Sequence, residues 1–77
     1  MSEFDLELDA RGLNCPLPIL RARQSIKTLN AGQVLHIIAT DPGSVKDFEA
    51  FCKQTGNELL AASQESGEYL FDIRKGQ

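Results

Sequence analysis

The sequence predicts an α/β two-layer sandwich in the order β-α-β-α-β-β, with a mixed four-stranded sheet and both helices on one face. Three observations carry this. Segments that alternate apolar and polar residues interleave with segments whose apolar residues recur every three or four positions. Turn residues separate the segments, and 77 residues make a single small domain, taken as residues 1–77. Two right-handed strand-helix-strand crossovers followed by a hairpin then give four strands and two helices, and stacking both helices on one face is the simplest way to bury them.

Phe4-Asp5-Leu6-Glu7-Leu8-Asp9 alternates apolar and acidic residues, the pattern of a strand with one buried and one wet face. Ala10 to Asn14 leads to a helix starting at or just after Cys15. Gly12 can take backbone angles closed to other residues, and Pro16 suits the first turn because it lacks an N–H. Ile19, Ala22, Ile26 and Leu29 form the core stripe of this helix, Arg21, Gln24, Lys27 and Thr28 lie opposite, and Asn30-Ala31-Gly32 ends it. Gln33 to Thr40 is apolar on both faces and reads as an interior strand, which needs a neighbour on each side. After the Asp41-Pro42-Gly43 turn, Ser44 and Asp47 resemble a capping box. The second helix has the stripe Val45, Phe48, Cys52 and Thr55, with Phe51 at its edge and Gly56-Asn57 as a left-handed stop. Glu58 to Gln64 and Glu68 to Lys75 are strands joined at Ser66-Gly67.

A composition of 42% hydrophobic and 25% charged residues excludes a disordered chain. Two cysteines far apart in the chain and one histidine match no metal motif, so neither metal nor cofactor is expected. No apolar run approaches the roughly 20 residues of a membrane span and no leader pattern is present, so the expected compartment is a reducing cytoplasm with free thiols and no membrane partner. Eight basic against eleven acidic residues, 8 − 11 = −3, weigh against broad binding to a nucleic-acid backbone.

The chemistry centres on Cys15-Pro16-Leu17-Pro18. A cysteine at a helix start is biased toward thiolate, the form that attacks electrophiles. Pro16 and Pro18 remove two N–H donors, leaving Leu17 and Ile19 as backbone partners for the thiolate, and Arg11 adds positive charge if Gly12 folds the connection back. Leu17 and Leu20 point away from the core stripe toward Arg21 and Gln24; left exposed they make a docking surface with Arg21, and tucked under loops they are structural. Cys52, inside a core stripe, reads as buried, and His36 as a satisfied structural residue. Asp5 and Glu7 face solvent, while Asp9 is placed to hydrogen-bond the loop backbone. Arg21, Lys27, Arg74 and Lys75 are solvated surface unless the last strand runs beside the first helix, where they form a patch for an acidic partner or RNA phosphate.

The stretch Leu8-Asp9-Ala10-Arg11-Gly12-Leu13-Asn14-Cys15-Pro16-Leu17-Pro18 resembles the signature of the TusA (SirA-like) family of sulfur carrier proteins, and length and element order match over nearly the whole chain. The resemblance implies that Cys15 bears a persulfide, loaded by a cysteine desulfurase or rhodanese-type donor and unloaded onto a downstream sulfur-acceptor protein. It implies that Asp9, Gly12, Pro16 and Pro18 shape the site, and that nucleic acid is involved only indirectly, through relay toward 2-thiouridine in transfer RNA or another sulfur or selenium pathway. Thr40-Asp41-Pro42-Gly43 through Asp47 is also similar, although Phe48-Glu49 stands where many members have Ile-Pro. The competing readings are a noncatalytic regulatory or RNA-binding module that tolerates Cys15→Ser, and a thiol peroxidase or reductase that needs both cysteines.

Overall fold

The computed structural model describes residues 4–76. Strands β1 (Leu6–Ala10), β2 (Val34–Ala39), β3 (Glu58–Glu65) and β4 (Glu68–Arg74) form one sheet in the order β1-β2-β4-β3, with helices α1 (Leu17–Ile26) and α2 (Ser44–Thr55) between the first three. β1 runs parallel to β2, with Leu6 opposite Leu35 and Ala10 opposite Ala39, while β4 is antiparallel to both β2 and β3. The sheet is therefore mixed. β2, apolar on both alternate sets, has the two neighbours its sequence called for.

Alternation decides which face is covered. Leu35, Ile37 and Ala39 of β2 and Phe71 and Ile73 of β4 are buried on the face that meets the helices. Against them pack Ala22 and Ile26 of α1 and Phe48, Phe51 and Cys52 of α2, all in one core. α1 lies over β1 and β2, α2 over β3 and β4, and the helices touch. The Phe48 ring is the keystone, 4.8 Å from Phe71 and 6.3 Å, edge-on, from Phe51. No described helix is long and apolar enough to cross a membrane.

Four local expectations change. The first strand begins at Leu6 rather than Phe4, and Phe4 leaves the alternation to stack on His36 at 4.9 Å. α1 begins at Leu17, so Pro16 sits before the helix and Pro18 in its first turn, where it is buried as part of the core stripe. The same helix ends at Ile26, and a tight turn through Thr28 and Leu29 carries Leu29 into the core. Ser44 makes no capping box: it is 1% exposed, its hydroxyl has no partner, and Asp41 supplies the turn contacts instead. α2 does stop on Gly56, at φ 76, where its N–H reaches the Cys52 carbonyl.

Candidate functional site

Parallel pairing of β1 with β2 brings the loops that follow them to the same end of the sheet. Such a junction, outside the carboxyl ends of adjacent parallel strands, is where open α/β folds place ligands. Gly12, at φ 80, folds the first loop so that its N–H donates to Thr40 Oγ1 at 2.9 Å. Three residues later the Cys15 N–H donates to Asp41 Oδ2 at 3.1 Å, across 26 positions of chain. The Cys15–Pro16 peptide is cis. Leu13, half-buried, packs the loop onto the core.

Cys15 is exposed at the mouth of a shallow cleft of about 250 Å³ between the helices, lined also by Ile19 and Arg23 of α1 and by Asp47, Phe51 and Gln54 of α2. The Arg23 guanidinium lies 5.3 Å from the centre of the Phe51 ring. Asp47, in the first turn of α2, lines the same cleft as the thiol, and hydrogen bonding to its carboxylate, slight desolvation and the Asp47 and Asp41 charges all raise the Cys15 thiol above its ordinary pKa. That overturns the expectation of a thiolate activated by a helix start. Cys15 precedes α1 by two residues, the Leu17 N–H is taken by the Asn14 carbonyl at 2.8 Å, and two carboxylates stand where a cation was expected.

Arg11 does not supply that cation. Its guanidinium grips Asp9 at 2.9 and 3.0 Å and reaches Glu68 at 3.5 Å. Asp9 also accepts the Arg11 N–H at 3.1 Å, and the pair holds the Asp9 carboxyl down at about 2. Asp9 and Arg11 thus brace the end of β1 against β4, while Gly12 sets the turn and Pro18 anchors α1. Leu17 and Leu20 are 45% and 48% exposed, on the same helix as exposed Arg21, so they lie on the surface of the helix that follows Cys15 rather than under loops.

The other chemical candidates lie elsewhere. Cys52 is buried, and burial pushes its thiol up to about 11. His36 lies on the open face of the sheet, its Nδ1 2.6 Å from Asp72, away from the helix layer that holds the cleft. The basic patch does not assemble: β4 lies between β2 and β3, Arg74 pairs with Glu58, and Lys75 Nζ donates to the Leu29 carbonyl at 2.7 Å. Thr40, Asp41, Asp47 and Arg23 are site residues that reasoning from the Cys-Pro motif did not assign. The signal for three of them was the similar Thr40-Asp41-Pro42-Gly43 to Asp47 stretch; Arg23 had none.

Residues 6–75 match the model of the family described as Sulfurtransferase TusA. The chain is 64% identical to the sulfur carrier protein TusA of Allochromatium vinosum over 97% of its length and 99% of that protein's. It is 48% identical to the sulfur carrier protein TusA of Pseudomonas entomophila, over 92% of this chain and 89% of that one. The crystal structure of a SirA-like protein from Desulfitobacterium hafniense superposes with a TM-score of 0.76 over 95% of this chain and all of that one, at 24% identity, which is a likeness of fold.

Proposed function

This chain belongs to the TusA family of sulfur carrier proteins, and from that premise we propose that it carries sulfane sulfur as a persulfide on Cys15. A carrier needs a partner that gives sulfur and one that takes it. We assign the first to a cysteine desulfurase or rhodanese-type enzyme and the second to a thiol on a downstream acceptor protein. In loading, the Cys15 thiolate attacks the outer sulfur of a donor persulfide; a Cys15–sulfur bond forms, the donor's S–S bond breaks, and the donor cysteine leaves with the electron pair. No net oxidation occurs. The observation that supports Cys15 most is its contrast with Cys52: one thiol is exposed beside Leu17 and Leu20, and the other is buried.

Exposed leucines next to the reacting thiol suit a partner that must bring its own cysteine to bonding distance and then leave. Nothing about Arg74 or Lys75 favours phosphate, since both have partners within the protein. Tethered sulfur passes from protein to protein, so nucleic acid enters only through the acceptor. We place the chain as one folded unit in a reducing cytoplasm, where the thiol stays free between transfers.

The test is intact-protein mass spectrometry after incubation with a cysteine desulfurase and cysteine. A reductant-labile gain of one sulfur is expected in the wild type and in Cys52→Ala, and is expected to vanish in Cys15→Ser. Alanine is used at position 52 because a serine hydroxyl there would be buried. Loading that survives Cys15→Ser overturns the assignment.

A further inference from the structure

We propose that Asp47 is a positioning residue that sets the direction of sulfur transfer, its carboxylate stabilising the empty Cys15 thiol and repelling the loaded persulfide, so that the carrier gives sulfur away more readily than it keeps it. The inference rests on the persulfide being carried at Cys15. It follows from geometry: Asp47 of α2 and Cys15 of the β1–α1 loop line the same cleft, and the Asp41 carboxylate, tied to the Cys15 N–H at 3.1 Å, keeps the thiol loop in place beside it. Asp47 is itself well held, because its N–H donates to the Gly43 carbonyl at 3.1 Å and a negative charge suits the first turn of a helix.

The two states of the carrier meet this carboxylate differently. Empty, Cys15 offers an S–H to the Asp47 carboxylate that shares its cleft, and the thiol is correspondingly raised above its ordinary value. Loaded, the site carries a persulfide, a stronger acid than its thiol and therefore anionic near neutral pH, and the anion faces Asp47 with Asp41 nearby. A residue that favours one state and disfavours the other moves the equilibrium between them.

The exchange balances with an acceptor thiolate. Formed when the acceptor thiol gives its proton to the persulfide anion, it attacks the outer sulfur of the now protonated persulfide, the acceptor–sulfur bond forms as the Cys15 S–S bond breaks, and the electron pair leaves on Cys15 Sγ. The proton of the newly made acceptor persulfide, the more acidic partner, then passes to Cys15 and restores the S–H that Asp47 accepts. One sulfur moves, one negative charge is conserved, and no external oxidant or reductant is needed. The charged groups around Cys15 are Asp47 from α2 and Asp41 from the β2–α2 turn, with Arg23 of α1 lining the same cleft. Arg23 is stationed over Phe51.

The experiment equilibrates the protein with glutathione and glutathione persulfide, and reads the loaded fraction by intact mass in the wild type, Asp47→Asn and Asp47→Glu from pH 6.5 upward. Asp47→Asn is expected to shift the loaded-to-empty ratio toward loaded by about three- to tenfold at neutral pH, the size of one hydrogen bond screened at an exposed site. Asp47→Glu is expected to restore the wild-type ratio. The gap should close as pH rises through the Cys15 titration, because empty and loaded sites are then both anionic and the carboxylate no longer distinguishes them; a merely structural effect would persist. Equal ratios in wild type and Asp47→Asn at neutral pH, or a shift toward empty, overturn the proposal. Absence of loading on Cys15 in every variant overturns the carrier assignment itself, a different result.

Discussion

Cys15 and Cys52 are both weaker acids than a free thiol, and they became so by different physics. Cys52 is raised by desolvation alone, among Phe48, Phe51 and the core. Cys15 is raised first by hydrogen bonding to Asp47, then by slight desolvation, and then by the Asp47 and Asp41 charges. Desolvation belongs to the whole fold and relaxes only when the fold opens, whereas a carboxylate's influence belongs to one side chain and changes with protonation, with substitution, or with a partner that presents a cation. The same direction of shift marks an inert thiol in one place and an adjustable one in the other.

The largest effect that would break this contrast is native-state labelling with iodoacetamide. Cys15 is expected to react at least about a thousandfold faster than Cys52, whose exposure waits on opening of the fold. Loosening the core should narrow the gap from one side only. Phe48→Leu is expected to cost about 1–2 kcal/mol and to speed Cys52 labelling roughly five- to thirtyfold, while leaving Cys15 unchanged. A rise at both sites would show that the two thiols share one opening event.

A smaller effect is expected on the alkaline side. The Cys52 thiol titrates higher in the folded protein, at about 11, than in the unfolded chain. Its contribution is therefore fully present below the free-thiol value and is lost as pH rises through about 11. Urea midpoints measured from neutral pH upward should fall more steeply in the wild type than in Cys52→Ala. Parallel curves would mean that Cys52 is better solvated than its position among the phenylalanines indicates.

Most of the fold was legible because each element carries its own periodicity. The alternation in Leu6–Ala10 marked a strand with one buried and one wet face, the two-faced apolar run in Val34–Ala39 marked an interior strand, and the Phe48-Cys52 stripe aimed α2 at the sheet. Pro18 was misread because proline's backbone signal hid its side chain, which behaves as a core residue. The motif cysteine was also legible, but its electrostatics were not. These depend on Asp41 and Asp47, brought to the thiol by parallel strand pairing across 26 positions in the case of Asp41, and no local pattern around Cys15 contains that distance.

The smallest expected effect concerns Arg11, the cation that stands nearest to Cys15 in the sequence outside the helix. Proximity along the chain argues that it activates the thiol. The structure argues otherwise, because its guanidinium donates to both oxygens of Asp9 and leans toward Glu68, so its charge is neutralised before it reaches the cleft. Arg11→Ala is therefore expected to leave the pH midpoint of Cys15 alkylation where it is, whereas Asp47→Asn is expected to lower it. The same substitution frees the Asp9 carboxyl, which should return from about 2 toward its ordinary range in an NMR titration. An ion pair holding Asp9 low stabilises the fold above the ordinary carboxylate value and loses its effect as pH falls through about 2, so Arg11→Ala should be silent in thiol chemistry, slightly less stable than the wild type at neutral pH, and equal to it once pH falls below about 2. A Cys15 midpoint that rises in Arg11→Ala would place the arginine in the thiol's field and move it from bracing β1 to tuning the site.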